Sequence, residues 1–493
     1  MDGRPTVPQS GRCEPPAAII ASAARSVTVD RTSDPSNSSQ NRSANDRVNL
    51  FDVAAALLRA DPMPSSGMHR QAAQFLSELG YLDTSGAPAG PDSKLANRLN
   101  LLAAAGKLPD VFRLSAADAP GLYFIGGRAD PGQLNPGLGG DEVASIAGAG
   151  LTLAEAFEAC VGEGVEYLSQ FEPGGIPAGS TSTTGETPPP PERALASFAE
   201  WLGLGSTDLA RGPWVKAARL GAKEPIRLPA ELVLRRGQDE RFRRRVSLGS
   251  GCSAGPTWEW AVSTALLELI ERDAVALWWL SGRPAAAVCR TSLASWQVPE
   301  TLAFLRGRTR GRETTLLDIT TDIGVPCFAA ISFLPAGDGF AAGFAAEIDP
   351  RRAARSAIIE MCQMELGQRL IERKIGKLGR GTLNDAERRH LARAELIGPR
   401  HCFGNLRAPD QPQRAEGFST ASERLDRVVQ RLQAASFEGY AVDLTRPAFA
   451  IPVARALVPG LQPYPSVFIS RRLTEYRAMY AGNAPHRRAV ALF

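Results

Sequence analysis

Hydrophobic and polar positions are most unevenly distributed between Gly255 and Trp279, which reads G-P-T-W-E-W-A-V-S-T-A-L-L-E-L-I-E-R-D-A-V-A-L-W-W. The run is apolar almost throughout, interrupted mainly by Glu268, Glu271, Arg272 and Asp273, and from Thr257 onward it holds no Pro or Gly. Its wealth of Ala and Leu predicts a helix of about five turns. Glu268 and Glu271, three residues apart, then share one face. Two carboxylates in an apolar helix are costly to bury without a positive partner, so the pattern calls for a metal ion or a cationic group.

The same frame recurs. Gly150-Leu151-Thr152, Ala156, Glu163 and Glu166 match Gly255-Pro256-Thr257, Ala261, Glu268 and Glu271 position for position. A looser third copy opens at Asp349-Pro350 and continues with Ala353, Glu360 and Gln363. Glu at i and i+3 is common on solvated helix faces, and a single pair would mean little. Three copies in register argue for an internal repeat whose acidic helices meet.

Elsewhere the 3.6-residue and two-residue periods alternate. Residues 1–46 are rich in Ser, Pro, Arg and Asn and are expected to be disordered. Amphipathic helices are predicted over Val48–Arg59, Met68–Leu79 and Ser93–Ala105, giving a small helical region at 47–118 that could bind a partner or, the favoured reading, cap the main domain. A short strand is expected at Leu122–Gly126, then the first repeat helix, Leu153–Gln170. The Pro-, Ser- and Thr-rich stretch 172–192 is expected to be a mobile loop inside the main domain, 119–493. A helix near Arg193–Leu202 and a strand over Pro225–Leu234 follow.

The Gly-rich segment from Ser247 to Gly255 leads into the central helix and could turn backbone N–H groups toward an anion, although any tight strand-to-helix turn uses such residues. It has neither the Lys-Ser/Thr ending of a P-loop nor a dinucleotide fingerprint. Strands are predicted at Thr315–Asp318, Pro326–Phe333, Phe340–Glu347, Tyr440–Leu444 and Val453–Val458, with a helix at Glu423–Ala435. Lys374–Ala394 reads as a charged, solvated connector, and the tail from Leu473 to Phe493 as one helix with an exposed end. The fold class expected is α+β with mixed α/β character, the acidic helices packed on mixed sheets with internal pseudo-symmetry.

Composition narrows the function. The 493 residues allow two or three domains, and 44% apolar with 22% charged residues is ordinary for a globular protein. A net charge of +4 gives no reason to expect nucleic acid, and no run of about 18 uncharged apolar residues suggests a membrane span. Seven Cys without a C-x-x-C pair read as reduced thiols of a cytoplasmic protein. Four His, none in a recognisable frame with Cys or carboxylate, leave zinc and Ser-His-Asp chemistry without support. His401 and Cys402 are adjacent, but neighbours do not face each other on a regular element.

Five carboxylates and one amide drawn together would repel unless cations intervened. Oxygen-only ligands suit Mg²⁺, which shares carboxylates with substrate phosphates. Glu163, Glu166, Glu268, Glu271 and Glu360 are therefore the candidate metal ligands, with Gln363 beside them and Arg272 for phosphate oxygens. The inventory suits an ATP-using enzyme without a P-loop.

The words G-S-G-C-S-A-G-P-T (249–257), L-E-L-I-E-R-D-A-V-A-L-W-W (267–279), T-T-D-I-G-V-P-C-F-A-A-I-S (320–332), V-D-L-T-R-P (442–447) and P-V-A-R-A-L-V-P-G-L (452–461) resemble the YcaO superfamily, and most of all its branch that makes thiazole- and oxazole-modified peptides. The resemblance spans about residues 120–480 of the sequence. It implies a YcaO-like domain with ATP and Mg²⁺ on the acidic helices, and Ser263 joins the implied cofactor-binding residues. It implies cyclodehydration: a Cys, Ser or Thr side chain of a ribosomally made precursor peptide attacks a backbone amide, whose oxygen leaves as phosphate, forming an azoline as in bacteriocin maturation. A separate leader-binding partner protein and a homodimer are also implied. Backbone thioamidation or another amide activation is the alternative chemistry, and a non-catalytic peptide-binding scaffold the alternative class.

The chain departs from that family's pattern at three places. Gly148-Ala149-Gly150 stands where the family has Gly-Lys-Gly, and Gly249 where Ser is common. The ending A-P-H-R-R-A-V-A-L-F keeps only Pro485, followed by His486, of a Pro-x-Pro-x-Pro tail that the resemblance places at the active site.

Overall fold

The computed structural model describes residues 49–62, 66–134, 143–172, 192–202, 214–222, 224–235, 249–308, 311–408, 417–466, 468–483, 490 and 492. The readings made for 1–46, and for 172–192 apart from its two end residues, fall outside these residues, as do Ser247, Pro485 and His486.

Helices α1 (Leu50–Leu58), α2 (Gly67–Glu78) and α3 (Asp92–Ala105) follow the predicted periodicity closely. Asn49 and Asp52 close a capping box on the first of them. Strands β1 (Asp110–Ser115), β2 (Tyr123–Ala129) and β3 (Ala144–Gly150) form an antiparallel meander, so the chain joins a sheet already at Asp110, within the range read as helical. Helix α4 (Leu153–Ser169) lies on β3 and β2, and its Phe157, Cys160 and Val161 bury against Val53, Leu76 and Leu102 of the first three helices.

After α5 (Glu192–Leu202), strands β4 (Trp214–Arg219), β5 (Glu224–Pro229) and β6 (Cys252–Ala254) lead into the central helix α6 (Trp258–Ser281). The strand expected at Pro225–Leu234 ends early, because Pro229 opens a 3₁₀ turn over Ala230–Leu232. The central helix has 24 residues and so runs to between six and seven turns, longer than expected, until Gly282 stops it in the left-handed conformation.

Strands β7 (Ala285–Ala287), β8 (Glu313–Asp318), β9 (Cys327–Phe333) and β10 (Ala341–Ala346) belong to a second sheet, with α7 (Arg290–Ser295) and α8 (Val298–Arg306) between the first two. Helix α9 (Pro350–Leu378) packs across β10 and β9. It is followed by α10 (Asp385–Leu396), α11 (Pro399–Phe403) and β11 (Leu406–Arg407), then by α12 (Ala421–Ala434), β12 (Tyr440–Asp443), β13 (Val453–Leu457) and α13 (Arg471–Met479). The second sheet runs β10-β9-β8-β7-β11, with β11 parallel to β7, and the third runs β5-β4-β12-β13-β6. One mixed sheet, two antiparallel sheets and long helices make the α+β class that the periodicity suggested.

Two sequence readings need correction. The charged stretch 374–394 is not a solvated connector: α9 continues through Lys374, and α10 occupies its second half. Lys374 and Glu387, both buried, pair at 2.8 Å, and His390 and Arg393 are buried as well. Mutual pairing lets the Lys374 and Glu387 charges enter the interior, which composition alone cannot reveal. The two described residues at the end of the chain are not exposed either: Leu492 is buried against Trp278, Trp279 and Tyr464, and the Trp279 indole donates to the carbonyl of the half-buried Val490 at 2.8 Å.

Candidate active site

The three repeat helices begin alike. Thr152, Thr257 and Asp349 occupy the same frame position and cap α4, α6 and α9, accepting from the backbone N–H of Glu155 at 3.2 Å, Trp260 at 3.2 Å and Arg351 at 3.0 Å. In each unit a short strand precedes the helix, and a backbone N–H in that strand or directly before it reaches the first Glu of the frame. Ala147 donates to Glu163 at 2.8 Å, Gly251 to Glu268 at 3.0 Å and Phe344 to Glu360 at 2.7 Å. Close approach of helix to sheet makes this contact possible. A Cβ on Gly148 would lie 2.2 Å from the Ala156 carbonyl of α4, and one on Gly343 would lie 2.1 Å from the Met361 nitrogen of α9.

Arg272 lies 3.6 Å from Glu268 and 3.5 Å from Glu271, and Glu268 in turn acts on Glu163 and Glu166. Burial alone would lower the Arg272 pKa, but Glu271, Glu268 and Glu360 outweigh it and raise it. Burial pushes Glu163 up to about 7; the Ala147 N–H opposes this and Glu268 adds to it. Glu166 is held well above the ordinary carboxylate range, by burial first and then by Glu268 and Glu163, against the pull of Arg455. Burial also raises Glu271, with Arg272 opposing and Glu360 and Glu268 adding, and it raises Glu360, with Arg272 opposing. Glu163, Glu166, Glu268, Glu271, Glu360 and Gln363 are all half-buried, so the carboxylates are largely desolvated yet keep some contact with solvent.

A set of carboxylates that resists losing its protons is short of positive charge, and a divalent ion supplies it. Among the described residues no three His, Cys, Asp or Glu side chains close on a single point. Mg²⁺, which takes one or two carboxylates and completes its octahedron with phosphate oxygens and water, does not require such a cage.

Gln363 follows Glu360 by one turn of α9 on the same face. Ser263 is not brought to the carboxylates. It lies about 140° around α6 from Glu268, and its hydroxyl donates to the Trp260 carbonyl at 3.0 Å and accepts from Arg424 at 2.6 Å, beside the buried Arg424–Glu347 pair. The Gly-rich turn also differs from expectation, since the Gly251 N–H holds Glu268 and is not left for an anion. His401 and Cys402 form no dyad: the imidazole Nδ1 meets the Gly398 backbone at 3.1 Å, and Cys402 is buried.

Arg455 escaped selection from the sequence. It is a lone cation in the apolar strand β13, fully buried opposite Cys252, and acts on Glu166 and Glu268. A charged residue in the middle of V-A-R-A-L was the available signal. The buried thiols of Cys160, Cys252 and Cys327 are pushed up by burial and by Glu163, Glu166 and Glu271 respectively, so they stay neutral.

The family model described as YcaO cyclodehydratase, ATP- and Mg²⁺-binding, matches residues 147–462. The chain belongs to the YcaO family. ATP and Mg²⁺ are the cofactors of that family.

Three solved structures share the fold. A heterocyclase in complex with substrate and cofactor aligns at 23% identity and a TM-score of 0.54, covering 74% of this chain and 51% of that one. YcaO from Methanopyrus kandleri, bound with AMPPCP and Mg²⁺, aligns at 22% identity and 0.51, covering 74% and 89%. The E. coli microcin synthetase McbBCD complex with pro-MccB17 bound aligns at 16% identity and 0.52, covering 71% and 87%. The chain thus spans about half the length of the heterocyclase it matches. Among the described residues no helix is long and apolar enough to cross a membrane.

Proposed function

We propose that this YcaO protein uses ATP and Mg²⁺ to activate backbone amides of a ribosomally made precursor peptide and closes azoline rings from its Cys, Ser or Thr residues. One observation carries the reading. In three strand-helix units a backbone N–H at the sheet fixes the first Glu of the acidic frame, and Glu268, Glu271 and Glu360 act on Arg272 while Glu268 also acts on Glu163 and Glu166.

In this reading Glu163, Glu166, Glu268, Glu271 and Glu360 hold Mg²⁺ ions, with Gln363 at their edge. Arg272, paired with Glu268 and Glu271 in the free protein, is placed to meet phosphate oxygens when the ions enter. The buried Arg455 favours the charged form of Glu166. Bound ATP supplies the phosphoryl group that turns an amide oxygen into a leaving group. Overall the peptide loses one water per ring, and that oxygen departs in phosphate as ATP becomes ADP. Precursor recognition through a separate leader-binding protein and a cytoplasmic location belong to the same reading; the McbBCD complex with pro-MccB17 bound, which shares the fold, is consistent with a peptide substrate and a partner.

The test incubates the full chain, with the partner protein, ATP and Mg²⁺, with a candidate precursor peptide and follows peptide mass. Loss of one water per modified residue, dependent on ATP, is the expected outcome. Exchange of oxygen for sulfur would mean thioamidation, and no ATP turnover at all would mean a scaffold.

A further inference from the structure

Arg472, in the first turn of α13, reaches across to α6 and closes on Asp273, the residue that follows Arg272. Its Nε lies 3.1 and 3.0 Å from the two Asp273 oxygens. Its Nη1 lies 3.0 Å from Asp322 in the β8–β9 connection. The guanidinium is flanked by the rings of Phe437 and Tyr476, each 5.2 Å from its central carbon. Asp273 is fully buried and also accepts the Gln462 N–H at 2.9 Å. One arginine thus joins the last described helix, two connecting segments and the helix that carries the acidic pair.

The consequence concerns Arg272. Consecutive residues on a helix point about 100° apart, an angle through which the long arginine stem can bend. A buried carboxylate at 273 without a cation of its own would compete with Glu268 and Glu271 for the Arg272 guanidinium. We propose that Arg472 is a positioning residue: by occupying Asp273 it leaves Arg272 on the acidic face, available to nucleotide phosphates, and couples docking of α13 to nucleotide binding. This rests on the Mg²⁺–ATP site proposed above.

The experiment measures binding of Mg²⁺ with AMPPNP, a non-hydrolysable ATP analogue, to the full chain by calorimetry, with a thermal melt of each protein. The proteins are wild type, Arg472→Gln, Arg472→Lys and the double variant Asp273→Asn/Arg472→Gln. Arg472→Gln should weaken binding by about tenfold or more, and the double variant, in which the stranded carboxylate is gone, should return to within about threefold of wild type. Arg472→Lys, which keeps the charge, should bind better than the glutamine variant. Because removing the stranded carboxylate would also restore the fold, binding is compared at a temperature at which the melts show the proteins folded; recovery in the double variant under that condition is the reading that a merely structural contact would not produce, since both variants lose the same latch. Wild-type affinity in Arg472→Gln, or a double variant no better than the single one, overturns the inference. If Arg472→Gln does not fold, the lysine and double variants decide on the same criteria. Absence of Mg²⁺-dependent binding in the wild type would instead overturn the parent site, and this inference with it.

Discussion

The guanidinium of Arg272 lies 3.6 Å from the carboxylate of Glu268, one helical turn before it. On a solvated helix such a pair contributes a few tenths of a kcal/mol. Here Glu271 and Glu360 act on the same cation, and burial resists ionisation of the carboxylates, so the pair is the centre of an electrostatic arrangement left incomplete without added positive charge.

Replacing Glu271 with Gln removes one of the repelling carboxylates. Mg²⁺-dependent nucleotide affinity should fall at least about tenfold, since an ion loses an oxygen ligand of full charge. Stability should hold or rise, because burial disfavours that charge. Calorimetry and thermal melting of the same sample check both. Unchanged affinity in a folded variant would count against the site.

The pH dependence follows from Glu163, raised from 4.5 in the unfolded chain to about 7 in the fold. The folded state therefore retains a proton that the unfolded state has lost. The contribution to stability is full below about 4.5 and disappears as pH rises through 7. Bound Mg²⁺ requires the carboxylate, so the ion's stabilising effect should grow over the same interval. Melting temperatures of the protein with and without Mg²⁺–AMPPNP, taken between pH 5 and 8, should diverge with increasing pH. A constant difference would remove Glu163 from the metal site.

Gly343→Ala tests the strand-to-helix contact. The new methyl would lie 2.1 Å from the Met361 nitrogen and 2.2 Å from the Ala357 carbonyl, so α9 must lift from β10 and pull Glu360 from the Phe344 N–H. The loss should reach several kcal/mol, as expected for a forced backbone shift in a core. Gly376→Ala is the control, because nothing lies within 4 Å of its position. It should stabilise α9 by up to about 1 kcal/mol. Urea titrations of both variants give the comparison.

The chain end provides a fourth test. Leu492→Ala should cost about 2–5 kcal/mol, the range for a buried leucine, since the side chain is 1% exposed in the cluster around Trp279. Truncation after Ala484 removes the Val490 carbonyl as well and leaves the Trp279 indole N–H without that acceptor. It should therefore lower the melting temperature further than Leu492→Ala. Equal melting temperatures for the truncated and full chains would mean that this end bears no load.

The sequence by itself determined the local elements and the frame of the site. Ala156, Ala261 and Ala353 ahead of Glu163, Glu268 and Glu360 were enough to mark three equivalent helices, because helical spacing is set by the nearest residues along the chain. The caps Thr152, Thr257 and Asp349 were legible for the same reason. Tertiary structure decided which charges are buried and which groups meet. Lys374 with Glu387 and Asp273 with Arg472 are pairings between residues distant in sequence, and a charged residue looks alike in sequence whether water or a partner solvates it. The same limit explains Ser263, whose helix was read correctly while its face was not: only the packing of α12 against α6 brings Arg424 to its hydroxyl and turns that side of the helix away from the carboxylates.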